Sequence, residues 1–183
     1  MLNIKKYIDG HIQTATKIYY NDEIRGSIQD AADLLIDTFK TDHKLLICGN
    51  GGSAADSQHL AAELIPMGLP AISISTDNSA ITAIGNDIDF SRVFSVQVKA
   101  LGQREDVLIG ISTSGQSLNV RYALSQASQL GMSTIALSGK DGIAGRCAIP
   151  TITIRVPSTD TQYIQEAHIM ILHILWQLIK EAL

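Results

Sequence analysis

Charge is scarce in this chain. Asp, Glu, Lys and Arg make up 17% of its 183 residues, against about 25% in an average soluble protein. With Lys+Arg 14 and Asp+Glu 18, the net charge is −4. A mildly acidic surface repels a phosphate backbone, which argues against nucleic-acid binding. Cysteine is nearly absent too. Cys48 and Cys147 are too few for a disulfide framework, and Cys48, inside an apolar run, reads as a buried thiol. No apolar run approaches the ~20 residues that cross a bilayer, so no membrane association is expected. The opening Met1-Leu2-Asn3-Ile4-Lys5-Lys6 lacks the pattern of a signal peptide, and a cytoplasmic protein is expected. Disorder is excluded by the 45% hydrophobic content. A charge-poor chain of this kind often hides surface in an oligomer.

The apolar residues fall into an ordered pattern. Ile4, Ile8, Ile12 and Ala15 share a helical face, and Ile24, Ile28, Ala31, Leu35 and Phe39 continue the period after a break at Tyr20-Asn21-Asp22. These predict two helices over residues 1–42. Short continuous apolar runs follow at 44–49, 71–75, 107–112, 134–138 and 151–156. Helical stretches alternate with them at 54–64, 79–84, 90–101 and 118–130, and a long apolar helix over 161–183 closes the chain. Such alternation predicts an α/β fold with a three-layer, doubly wound, five-stranded parallel sheet, as a single domain over 1–183. Ligands of such folds bind beyond the carboxyl ends of the strands.

Two of those strand ends carry unusual loops. Gly49-Asn50-Gly51-Gly52-Ser53 and Ser112-Thr113-Ser114-Gly115-Gln116-Ser117 each precede a helix. Glycines let backbone N–H groups approach a ligand, and a helix start presents unpaired donors to an anion. One such loop would be only a turn and an N-cap. Two on one parallel sheet favour a cradle for a phosphate monoester. Neither fits the dinucleotide fingerprint or the Walker lysine pattern. On the helix after the first loop, His59 and Glu63 stand four apart on one face, a workable zinc pair. The closing helix adds Gln165, Glu166, His168 and His173 in an apolar segment. Of these, His168 reads as a hydrogen-bonded core or interface histidine.

Taken together, Gly49-Asn50-Gly51-Gly52-Ser53-Ala54-Ala55-Asp56, Gln58-His59, Ala61-Ala62-Glu63-Leu64, Thr82-Ala83-Ile84-Gly85-Asn86-Asp87, Asp106 to Gly115 and Ile164-Gln165-Glu166-Ala167-His168 resemble the phosphoheptose isomerases. These are sedoheptulose 7-phosphate isomerases of the SIS (sugar isomerase) superfamily. The resemblance runs through the whole chain in order, and implies a flavodoxin-like SIS fold with the N-terminal helical pair used in oligomerisation. It further implies conversion of D-sedoheptulose 7-phosphate to D-glycero-D-manno-heptose 7-phosphate through an enediol, on the route to heptose for lipopolysaccharide. The cofactor implied is one zinc ion per subunit, in a homotetramer with sites at subunit interfaces. By resemblance His59, Glu63, Gln165 and His173 are the metal ligands, with Glu63 as base and His173 as acid. Substrate would be held by Asn50, Gly51, Gly52, Ser53, Glu63, Asn86, Asp87, Ser112, Thr113, Ser114, Ser117 and Gln165. A second resemblance is to a non-catalytic SIS module, the tetrameric factor that binds the bacterial replication initiator.

Two features sharpen these expectations. After Glu63-Leu64 the family has a longer arginine-bearing loop, whereas here Ile65-Pro66-Met67-Gly68 leads directly to Leu69-Pro70-Ala71-Ile72, and Tyr163 replaces an arginine. No Lys or Arg occurs from Leu45 to Ser91. In addition, Gln165 and His173 on one helix are separated by ~12 Å of rise, a stretch for ligands of one zinc. Either Gln165 lies in a frayed first turn, or the ligands come from different subunits. A Glu63 that is both ligand and base also predicts loose or switching coordination.

Overall fold

The computed structural model of the chain describes residues 3–143 and 149–183. Cys147 lies outside them. Cys48 is fully buried, and that burial pushes its thiol up from the usual range.

Two helices open the chain, α1 (Ile4–Tyr19) and α2 (Asp22–Lys40). The break between them is made by Asn21, whose side-chain oxygen accepts from Ile24 N at 2.9 Å, while Asp22 and Glu23 complement the start of α2. α2 buries Ile24, Ile28, Ala31, Leu35 and Phe39, as their period predicts. α1 behaves differently. Its apolar stripe Ile4, Ile8 and Ile12 stands 71%, 53% and 57% exposed.

Then come β1 (Leu45–Gly49), α3 (Gly52–Leu64), β2 (Ala71–Ser73), α4 (Asn78–Asp87), α5 (Val93–Leu101), β3 (Val107–Ser112), α6 (Leu118–Gln129), β4 (Ser133–Ser138), β5 (Ile152–Arg155) and α7 (Thr161–Ala182). All pairings in the five-stranded sheet are parallel, in the order β2-β1-β3-β4-β5. The strand order reverses between β1 and β3, and ligands of such folds bind beyond the carboxyl ends of the strands at that switch point. β1 and β3 are buried throughout because helices cover both faces. One apolar core joins α2, α3 and α7 to the sheet. The other lies under α5 and α6, with Ile81 and Ile84 of α4 at its margin.

The strand amino ends are tied shut. The buried Asp106 carboxylate accepts from Lys44 N at 3.0 Å, Lys44 Nζ at 2.6 Å and Gln103 N at 2.7 Å, so its charge is fully partnered. β2 is shorter than its apolar run predicts. After Ile74 N bonds Ile47 O, the Ser75 hydroxyl replaces the ladder, donating to Gly49 O at 3.0 Å and standing 3.2 Å from Gly49 N.

Candidate active site

The two glycine- and hydroxyl-rich loops leave adjacent strands, β1 and β3, at the switch point. The first turns through Gly51 (φ +55) into α3, where Ser53 N bonds Asn50 O at 3.0 Å. Ala54 N bonds Gly51 O at 3.0 Å as well, so the amides left at this turn as donors for an anion are those of Gly51 and Gly52. In the second loop Ser112 Oγ donates to Ser117 Oγ at 3.0 Å, and Ser114 Oγ accepts from Gln116 N at 3.2 Å. Gly115 takes φ +66, and a Cβ there would stand 1.8 Å from Gly142 O, so only glycine fits. Ser114 is exposed, Thr113 and Ser117 half-buried, and Ser53 and Ser112 buried.

The loops are joined by an unforeseen contact. Asn50 and Asn119 exchange amide hydrogen bonds, Asn50 Nδ2 to Asn119 Oδ1 at 2.9 Å and Asn119 Nδ2 to Asn50 Oδ1 at 2.8 Å.

α3 and α7 pack side by side and run in the same direction. Gln165 lies so close to Gly52 that a Cβ there would stand 1.9 Å from its amide nitrogen. Two turns further along, His59 Nε2 and His173 Nε2 are 2.8 Å apart, with ring centroids at 4.9 Å in an edge-on arrangement. Glu63 Oε1 is 3.7 Å from His59 Nε2. At 2.8 Å one ring must donate its Nε2–H to the other, so this pair holds a proton between two helices.

His59, His173 and Glu63 offer the nitrogen and oxygen donors that zinc accepts. Ligands around a tetrahedral zinc stand about 3.4 Å apart, so the two nitrogens must open by roughly half an ångström. No group of three His, Cys, Asp or Glu side chains among the described residues already has metal-binding spacing. The His59 and Glu63 side chains, 44% and 35% exposed, are free to adjust. The donor set therefore fits the metal after a small side-chain movement.

Gln165 does not join that trio. α7 is continuous from Thr161, capped by Asp160 Oδ1, which accepts from Gln162 N at 3.0 Å. The frayed first turn is therefore not found, and Gln165 stays two turns from His173. Asn86 and Asp87 also stand apart. They end α4 on the opposite face of the sheet, exposed, with Asn86 Nδ2 donating to Asp87 Oδ1 at 2.8 Å.

Asp56 was not foreseen as a site residue, although it sits on α3 three positions before His59. It is buried, and one of its carboxylate oxygens has no hydrogen-bond partner. Burial, reinforced by Glu166, raises its pKa to about 6, while His59 pulls the other way. The i, i+3 spacing to His59 was the available signal.

Residues 6–139 match the SIS domain. Over 98% of this chain, and 93% of the other, it is 50% identical to the phosphoheptose isomerase of Trichlorobacter lovleyi. The chain belongs to the phosphoheptose isomerase family of SIS-domain proteins. Solved family structures agree. The enzyme from Neisseria gonorrhoeae superimposes with a TM-score of 0.90 at 40% identity, covering 97% of each chain. That from Francisella tularensis gives 0.90 at 35% identity, over 99% of this chain and 100% of its own. Phosphoheptose isomerases are enzymes, so membership favours catalysis over the non-catalytic module. No helix among the described residues is long and apolar enough to cross a membrane.

Proposed function

We propose that the chain isomerises D-sedoheptulose 7-phosphate to D-glycero-D-manno-heptose 7-phosphate through an enediol, with one zinc ion per subunit. The observation that carries this reading is the meeting of His59, His173 and Glu63 on the two helices that start at the anion cradle, two turns along from it. The phosphate would lie against Gly51, Gly52, Ser114, Thr113 and Ser117, held by N–H and O–H donors without a cation from residues 45–91. Aldose–ketose interconversion moves a proton between adjacent carbons. Glu63 would remove the carbon-bound proton, and His173 would exchange protons with the sugar oxygens. When bound, zinc supplies Lewis-acid polarisation of the carbonyl.

We further place the site between copies of this chain in a homotetramer. The exposed Ile4, Ile8 and Ile12 of the N-terminal pair supply apolar surface for such contacts. So does a groove of about 490 Å³ lined by Ile169, Met170, His173, Ile174 and Leu178. A neighbouring subunit would then bring its own Gln165 to the metal, which the helix spacing denies within one chain. Asn86 and Asp87 would reach the sugar in the same way.

The test is zinc content and turnover of sedoheptulose 7-phosphate by the purified chain. Stoichiometric zinc is expected, with activity lost on chelation and restored by zinc. A zinc-free protein without turnover overturns the proposal. Mixing Gln165→Ala with His173→Ala chains should restore activity if ligands come from two subunits. Verified hetero-oligomers that stay inactive refute that arrangement.

A further inference from the structure

The reciprocal contact between Asn50 and Asn119 spans 69 positions of sequence and the gap between the two loops. Each carboxamide presents one N–H and its oxygen to the other, closing a cyclic pair. Asn119 lies at the start of α6, immediately past the hydroxyl-rich loop, and is 4% exposed. Its Oδ1 also accepts from Val120 N at 2.9 Å. One side chain therefore satisfies a free amide of the α6 first turn and grips the opposite loop. The N-cap residue Ser117 makes no capping bond of its own, and its hydroxyl receives Ser112 Oγ instead.

This has a consequence for Asn50. Its Oδ1 and one Nδ2–H are consumed by Asn119, and its backbone oxygen holds Ser53 N at 3.0 Å. Little of its side chain remains for a ligand. The first loop must then meet an anion through backbone N–H groups, whose position depends on where Asn50 is anchored. Hydroxyl and N–H donors without a full positive charge bind phosphate well only when they converge on it. A shift of one loop by part of an ångström leaves donors misaligned, and poorly aligned hydrogen bonds weaken steeply.

We propose that Asn119 is a positioning residue. Through its amide pair with Asn50 it fixes the separation of the two loops, and so sets affinity for the phosphoryl group of the substrate rather than turnover. This rests on the isomerase reading given above. Glu63 and His173 stand two to three turns along α3 and α7 from the loop at Gly52, so the proton-transfer geometry does not depend on this pair.

The experiment compares KM and kcat for sedoheptulose 7-phosphate, and competitive inhibition by inorganic phosphate, in the wild-type protein and three variants. Asn119→Ala and Asn50→Ala should each raise KM and the phosphate inhibition constant about tenfold, with kcat within about threefold of wild type. The double variant should be no worse than either single one, because both remove the same contact. A purely structural role would lower the melting temperature and leave KM unchanged below it. Additive KM effects, or equal loss of kcat and kcat/KM, overturn the proposal. If Asn119→Ala does not fold, Asn119→Ser, which also removes the amide pair with Asn50, carries the test, and an unchanged KM there is equally fatal. Wild-type protein that neither turns over the substrate nor responds to phosphate refutes the isomerase reading instead, before any variant is compared.

Discussion

Two histidines of α7 lie five residues apart and live in different worlds. His168 is fully buried, and its Nε2–H donates to Ser138 O at 3.2 Å. Burial holds its pKa down to about 4, against a smaller upward pull from that hydrogen bond. His173 is exposed and meets His59 across the helix pair. Five residues turn an α-helix by about 140°, enough to carry one ring into the core and the other to the exposed seam between α3 and α7. Residue type alone does not make a histidine chemical. A ring becomes useful when solvent, a partner ring and a carboxylate can all reach it.

The largest effect should come from breaking the exposed end of that comparison. His173→Ala and Glu63→Gln are each expected to lower turnover by about 10²- to 10⁴-fold, the range of general acid–base catalysis, with little change in melting temperature. Steady-state rates with parallel calorimetry check both. Glu63→Gln that keeps its zinc and near-full turnover removes Glu63 from the role of base.

The buried end should break differently. His168→Leu is expected to retain turnover, because Ser138 O still accepts from Val156 N at 2.9 Å. Its signature is in stability. The folded pKa of His168 is depressed, so the unfolded chain takes up a proton first as pH falls. Stability is therefore complete above about 6.5 and is lost progressively toward about 4, by roughly 3 kcal/mol. Urea unfolding of His168→Leu should lack this loss. Parallel curves for variant and wild type would show that the imidazole is not the group responsible.

Much of this contrast was legible in advance. Short apolar runs gave β1 and β3, since strands buried on both faces need no polar alternation. The isolation of His168 among apolar neighbours marked it as core. Arithmetic on helix rise already separated Gln165 from His173, and the continuous α7 upholds that separation. Other features lay out of reach. The Asn50–Asn119 pair joins residues that only the sheet brings together, and no local spacing announces it. α3 begins at Gly52 rather than Ala54 because a turn through Gly51 lets the helix start inside what reads as a loop. The stripe on α1 was readable as helical but not as exposed, because periodicity shows that a face is apolar without saying what covers it.

Asp56 offers the smallest and most diagnostic break, because its sign opposes that of His168. Its folded pKa is raised to about 6 from 3.8, chiefly by burial and then by Glu166. The fold thus prefers the protonated acid. The associated stability is present below about 3.8 and is lost as pH rises through about 6. Asn keeps the shape and cannot ionise. Asp56→Asn should therefore be more stable than wild type above pH 6, by about 1 kcal/mol after allowance for solvent screening, with the gap closing near pH 4. Urea titrations of chelator-treated protein at both pH values measure it. Between about 4 and 6 the two buried groups pull the wild-type profile in opposite directions, so a flat curve there would conceal both. Only the pair of variants separates them: His168→Leu should leave a profile falling with rising pH, and Asp56→Asn one rising with it. An Asp56→Asn protein less stable than wild type at high pH would mean that the ionised carboxylate is held by a favourable partner, and would reverse the sign assigned to this group.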